Sequence, residues 1–223
     1  MATIVFKLSE NLYLRDPQST DLGRSIIEAS IRLIDELGFE SFTFKKLADQ
    51  IGSTEASVYR YFENKHRLLL YLIDWYWTWL DYRIEFQTHN LPTPQEQLQI
   101  SLRILTEKKQ VDPQIPYIDE VALHRIVEAE FEKTYLTKEV DSDNKDGVFL
   151  AYKTLCKRIA GFISEINVAY PFPRTLASTA LLAANHQPFY AAHLPSLTEA
   201  KTGIPEDELL YQFLESLINK SIA

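Results

Sequence analysis

Cysteine is almost absent from this 223-residue chain, with Cys156 standing alone. One thiol excludes an internal disulfide and fits a reducing compartment, so burial of apolar surface must hold the fold. Cys156 lies in the helical run Ala-Tyr-Lys-Thr-Leu-Cys-Lys-Arg-Ile, where it reads as a small buried hydrophobe and not as a nucleophile or sensor. Glycine is scarce too. Six Gly against ten Pro leave few turn residues for a sheet protein and favour helices with sharp breaks. No apolar run reaches the ~18 residues of a membrane span. The opening Met-Ala-Thr-Ile-Val-Phe-Lys-Leu lacks the long apolar core and cleavage site of a secretory leader. A cytoplasmic chain with no membrane attachment is expected. No Ser/His/Asp set, Cys/His pair or phosphate loop emerges either, so the expectation is not an enzyme, and no cofactor is called for.

Positive charge is also in deficit. The formal net charge is -8, with 46% apolar residues, enough to bury a proper core. The deficit is uneven: residues 20–67 carry seven Lys/Arg and eight Asp/Glu, residues 68–223 fourteen and twenty-one. A nucleic-acid partner would therefore have to be held by locally placed cations, with the acidic remainder discouraging non-specific wrapping.

Such a placement is present between Phe42 and Leu70. Thr43 is a plausible N-cap for a short helix burying Leu47, Ala48 and Ile51. Gly52 stops it, and Thr54 caps a second helix expected to run to about Phe62. Two helices joined by so few residues cross steeply. On the second, Val58 and Phe62 share the inward face, leaving Ala56, Ser57 and Arg60 outward and Tyr59 on the shoulder. Small residues at its start allow close approach to base edges, while Tyr59, Arg60 and Lys65 reach for phosphates. The candidate DNA-binding residues are Thr43, Lys45, Lys46, Thr54, Glu55, Ala56, Ser57, Tyr59, Arg60, Tyr61 and Lys65.

The run from Arg24 to Leu69 resembles the amino-terminal domain of TetR/AcrR-type transcriptional regulators. The matching positions are Arg24 and Ile26, Gly38, Thr43, Leu47-Ala48, Gly52, Thr54, Val58-Tyr59-Arg60-Tyr61-Phe62, and Lys65 with Leu68-Leu69. Ser53 stands where that family usually has an apolar Val. Glu55 places a carboxylate near DNA phosphates; it either stabilises the positive helix end or accepts from a cytosine amino group, and the first role is the commoner one. The resemblance implies an all-α protein: an amino-terminal three-helix domain with a helix-turn-helix, then a larger helical bundle for effector binding and dimerisation. The expected boundaries are an arm at 1–19, the DNA-binding domain at 20–67 and the bundle at 68–223. It also implies double-stranded DNA, a second copy of the chain and a small-molecule effector as partners.

In the arm, Lys7 and Arg15 could touch DNA, though a frayed terminus is the simpler expectation. Helix 1 is expected from Asp21 to Leu37, with Ile26, Ser30, Leu33 and Leu37 on one stripe. The next long helix, to about Gln87, carries Tyr71, Trp75 and Trp79 at four-residue spacing and is apolar on more than one face, as core or as an effector wall. Further helices are expected at 94–109, 117–135, 148–167, 174–192 interrupted or kinked near Pro188, and from Pro205 to about Ile222. Residues 137–147 read as a polar loop. Glu120, His124, Glu128 and Glu132 form a stripe that reads as a solvated face; the Glu-x-x-His spacing of di-iron bundles is missing, so no metal is expected. Candidate effector contacts are Tyr71, Trp75, Trp79, Phe131, Tyr152, His186 and Tyr190. The helices at 148–167 and 174–192 are nominated for the dimer. The resulting expectation is a homodimeric repressor that reads a palindromic operator and is released by a small apolar effector. The same residues leave open a scaffold of this type that has lost DNA binding and carries a lipid or other hydrophobic molecule.

Overall fold

The computed structural model describes residues 4–199 and 204–223, and every regular element among them is helical. Capping side chains set most of the boundaries. Thr20 Oγ1 accepts from Gly23 N at 3.0 Å and opens α1, Asp21–Leu37, which ends at Gly38 with φ of 76°. Thr43 and Thr54 do the same for α2, Phe44–Gln50, and α3, Glu55–Tyr59, as the sequence predicts. Between them Gly52 takes a φ of 64°, a region that a Cβ disfavours. Asn64 Oδ1 accepts from Arg67 N at 2.9 Å at the start of α4, Lys65–Thr88. The later helices are α5, Pro94–Thr106; α6, Glu120–Glu130; α7, Glu132–Tyr135; α8, Val140–Lys145; α9, Leu150–Ile166; α10, Pro173–His193; and α11, Glu206–Ile222.

Several helices differ from expectation. The α3 helix stops at Tyr59, and Tyr61 and Phe62 donate their backbone N–H to Val58 O in a tightened last turn. The helix expected at 117–135 begins only at Glu120, because Asp119 Oδ1 accepts from Val121 N and Ala122 N, and it is interrupted at Phe131. The loop expected at 137–147 contains α8, held by an ion pair from Arg67 to the buried Asp143 at 2.9 Å. Finally, α10 is not interrupted at Pro188 but runs on to His193. Leu37, assigned to the buried stripe of α1, is exposed.

Contacts divide the chain into two compact units, Met1–Thr78 with Lys109–Ala151, and Trp79–Lys108 with Tyr152–Ala223; both α4 and α9 contribute to each. In the first, α1, α2 and α3 close over Ile26, Leu47, Val58 and Phe62, all essentially inaccessible. Residues 109–151 belong to this same unit: α6 packs on α1, and Arg125 makes two hydrogen bonds to Asp35 at 2.8 and 2.6 Å. From Phe6 to Gln18 the amino-terminal arm is packed, not frayed. Phe6, Leu8 and Leu12 are buried, Gln18 Nε2 donates to Phe6 O at 2.8 Å, and Asn11 Nδ2 donates to Asp146 O at 2.8 Å. A Cβ on Gly23 would lie 2.2 Å from Pro17 O, so only glycine lets the arm pass this close to α1. In the second unit α10 packs on α11 and α5, Arg158 holds Asp81 with two hydrogen bonds, and Leu102, Leu155, Ile159, Leu214 and Ile218 form the core.

Candidate nucleic-acid interface

The surface of α2 and α3 follows from what lies beneath it. Val58 at 0% exposure anchors α3, which turns Glu55, Ala56, Tyr59 and Arg60 outward; Tyr59 is 48% exposed, with its ring 5.0 Å from that of Phe44. Thr54 Oγ1 accepts from Ser57 N at 3.2 Å and meets Ser57 Oγ at 3.0 Å, so those hydroxyls are tied to the cap. Thr43, Lys45 and Lys46 are exposed on α2, and Lys46 Nζ reaches Ser41 O at 2.8 Å. Within the turn Ser53 N–H donates to Ala48 O at 2.9 Å. The result is a projecting five-residue helix with small residues at its amino end and cations beside it, a shape that can enter a major groove.

Two of the expected DNA contacts sit elsewhere. Tyr61 is 2% exposed, and its hydroxyl meets Thr20 Oγ1 at 2.7 Å, tying the end of α3 to the cap of α1. It is an internal brace, because a neighbouring hydroxyl and the underlying core offer it more than solvent does. Lys65 turns inward, its ammonium donating to the carbonyl oxygens of Phe39, Glu40 and Phe42. A Lys three residues beyond an aromatic pair carries no sequence signal for either destination.

The α6 stripe is not solvated. Glu120 is fully buried; its Oε2 accepts from Asp112 N at 3.1 Å while Oε1 has no partner, and burial pushes its carboxyl up to about 7. His124 shares a hydrogen bond with Tyr76 Oη at 2.8 Å and stacks on that ring. Burial, then Lys109 and Arg125, lower His124 to about 3, so the imidazole is neutral and its 3.5 Å approach to Glu128 is no ion pair. Glu132 alone of the four is exposed. Among the described residues no group of three or more His, Cys, Asp or Glu is arranged to hold a metal ion. Cys156 is half-buried, its thiol raised to about 11 by burial.

The candidate effector residues are divided between the two units. In the first, Tyr71, Trp75 and Phe131 are core: Tyr71 packs against Tyr13 and Phe62, Trp75 against Phe6, and Phe131 against Trp77. The buried Tyr71 hydroxyl lacks a hydrogen-bond partner. In the second, Trp79 lies under the Arg83 guanidinium, Tyr152 is half-buried beside Cys156, and His186 and Tyr190 are ring neighbours on α10. Gln187 and Pro188, close by, line a groove of about 240 Å³ with Leu197, Leu210 and Phe213.

Residues 26–72 match the family model described as bacterial regulatory proteins, tetR family. The match runs from within α1 through α3 into the start of α4, and identifies that segment as a helix-turn-helix domain of the tetR-family type. Similar solved structures include the regulator FadR from Bacillus subtilis in complex with stearoyl-CoA, at 14% identity and TM-score 0.61, over 89% of this chain and 97% of that one. AibR in complex with isovaleryl coenzyme A and operator DNA aligns at 17% identity and TM-score 0.60, over 87% and 96%. A putative TetR-family regulator from Syntrophomonas wolfei aligns at 14% and 0.64, over 88% and 94%. At these identities the likeness establishes the fold. No curated protein matches the chain. Among the described residues no helix is long and apolar enough to cross a membrane.

Proposed function

We propose that the chain is a homodimeric transcriptional repressor that reads a palindromic operator with α3 and releases it when a small apolar effector binds. The observation that carries this reading is the outward face of α3, with Tyr59 and Arg60 exposed over a buried Val58 and Lys45 and Lys46 exposed on α2. One such short helix reads only a few base pairs, so two copies related by a two-fold are needed for an operator-sized site. Leu182 and Phe189 on α10 and Phe213 on α11 are exposed apolar side chains, which favours α10 with α11 over α9 for pairing. An acyl chain is the effector class to try first, since FadR and AibR were solved with acyl-CoA molecules. The effector must bind one conformation better than the other to shift anything.

The test is an operator mobility shift. Tyr59→Ala and Arg60→Ala should each weaken binding at least about tenfold, or about 1.4 kcal/mol. Lys46→Ala should lower the slope of log affinity against log salt by about one. Unchanged binding in all three variants sinks the assignment. A wild-type chain that ignores duplex DNA and heparin but yields lipid on extraction would support the hydrophobic-carrier alternative instead.

A further inference from the structure

Lys65 opens α4 at the place where a phosphate-contacting cation is expected, yet its Nζ lies 3.1, 3.2 and 3.3 Å from the carbonyl oxygens of Phe39, Glu40 and Phe42. The ammonium also sits 4.7 Å from the centroid of the Phe39 ring. A lysine ammonium has three N–H donors and no acceptor. Three carbonyls therefore use its whole capacity, and a phosphate could bind only by displacing one of them.

Those carbonyls belong to the connection between α1 and α2. The last of them, on Phe42, immediately precedes Thr43, the cap of α2. Fixing this connection fixes the start of α2, with Lys45 and Lys46 on it, and α2 packs on α3. A second lysine reaches the same connection, since Lys133 pairs with Glu40 at 3.3 Å, but both partners are largely exposed. Solvent and salt screen such a pair, which leaves Lys65 as the stronger tie.

We infer that Lys65 is a positioning residue: it acts on DNA through α2, by holding residues 39–42 in place, and does not itself bind phosphate. The inference rests on the DNA-binding reading of α2 and α3 given above.

Lys65→Arg separates the two roles. Arginine keeps the charge and binds phosphate at least as well, but its planar fork cannot aim three donors at carbonyls converging on one point. Three variants, Lys65→Arg, Lys65→Met and Lys46→Ala, are compared by operator affinity against salt and by amide exchange at Phe42, whose N–H bonds Gly38 O at 3.2 Å. Both Lys65 variants should exchange the Phe42 amide about tenfold faster, with the core amides of α9 unchanged. Both should also lose about tenfold in operator affinity, Lys65→Arg with the wild-type salt slope. Lys46→Ala should do the reverse, keeping the Phe42 amide protected while its slope falls by about one. Wild-type affinity and protection in Lys65→Arg would overturn the inference, as would a slope lowered by about one in Lys65→Met with Phe42 still protected. The exchange measurement needs no DNA, so a chain that binds no operator would defeat the DNA reading while the Phe42 amide still decides what Lys65 does.

Discussion

Glu55 and Glu120 are locally equivalent and physically opposite. Each is the first residue of a helix, directly after a capping side chain, Thr54 for α3 and Asp119 for α6. Either carboxylate would favour the positive helix end by a few tenths of a kcal/mol to about 1. Glu55 stands in solvent on a projecting helix, whereas Glu120 is fully buried with one oxygen unpaired. The difference comes from what packs against each helix. Among the described residues nothing covers the outer face of α3, while α6 packs on α1. A helix-start acid is thus a surface device or a buried liability according to tertiary contacts alone.

Charge reversal should expose the contrast most strongly. Glu120→Lys should destabilise the fold by more than about 4 kcal/mol, because a buried ammonium there meets a backbone donor. Glu55→Lys should leave stability within about 0.5 kcal/mol and tighten operator binding with a steeper salt slope. Chemical denaturation of both variants checks this, and a similar loss in the two would dissolve the comparison.

The next effect is a pH dependence. Burial raises Glu120 from 4.5 and Asp74 from 3.8, each to about 7. The folded chain therefore holds protons that the unfolded chain has released. The stability these two groups contribute is full below about pH 4 and is lost as the pH rises through about 7. Glu120→Gln should flatten that fall by about 2 to 3 kcal/mol, read from denaturation midpoints between pH 4 and 8; an unaltered profile would mean the carboxyl is solvated.

Smaller again is the tie between α6 and α1. Arg125 and Asp35 form a two-bonded pair, but the Arg side chain is 53% exposed. Arg125→Ala should cost no more than about 1 kcal/mol, so a larger loss in urea would show this pair to be a main support of the α1–α6 contact. Smallest is Glu55→Gln, for which stability should move by less than about 0.5 kcal/mol. If it instead switches preference at a C·G pair of the operator, Glu55 reads a cytosine amino group.

The helix-turn-helix was legible because its signals are local. Thr43, Gly52 and Thr54 act within one turn of chain, so caps and a positive φ can be read without knowing any partner. The spacing of Val58 and Phe62 sufficed to place Tyr59 and Arg60 outward. The placements of Tyr61 and Lys65 were not legible, for the opposite reason. Their hydroxyl and ammonium find partners 41 and at least 23 residues away in sequence, at Thr20 and on residues 39–42. The amino-terminal arm likewise reads as loose, until Phe6, Leu8 and Leu12 find a surface to cover.

The order of residues by itself determined an all-helical chain, most helix starts and the outward face of α3, since these depend on backbone dihedrals and on side chains a turn apart. Tertiary structure alone decided that Glu120 and His124 lie inside, that α8 forms around Asp143 under Arg67, and that residues 109–151 join the unit carrying α1 to α3. Burial, ion pairing and desolvation are properties of neighbours brought together from distant positions, and no local pattern encodes them.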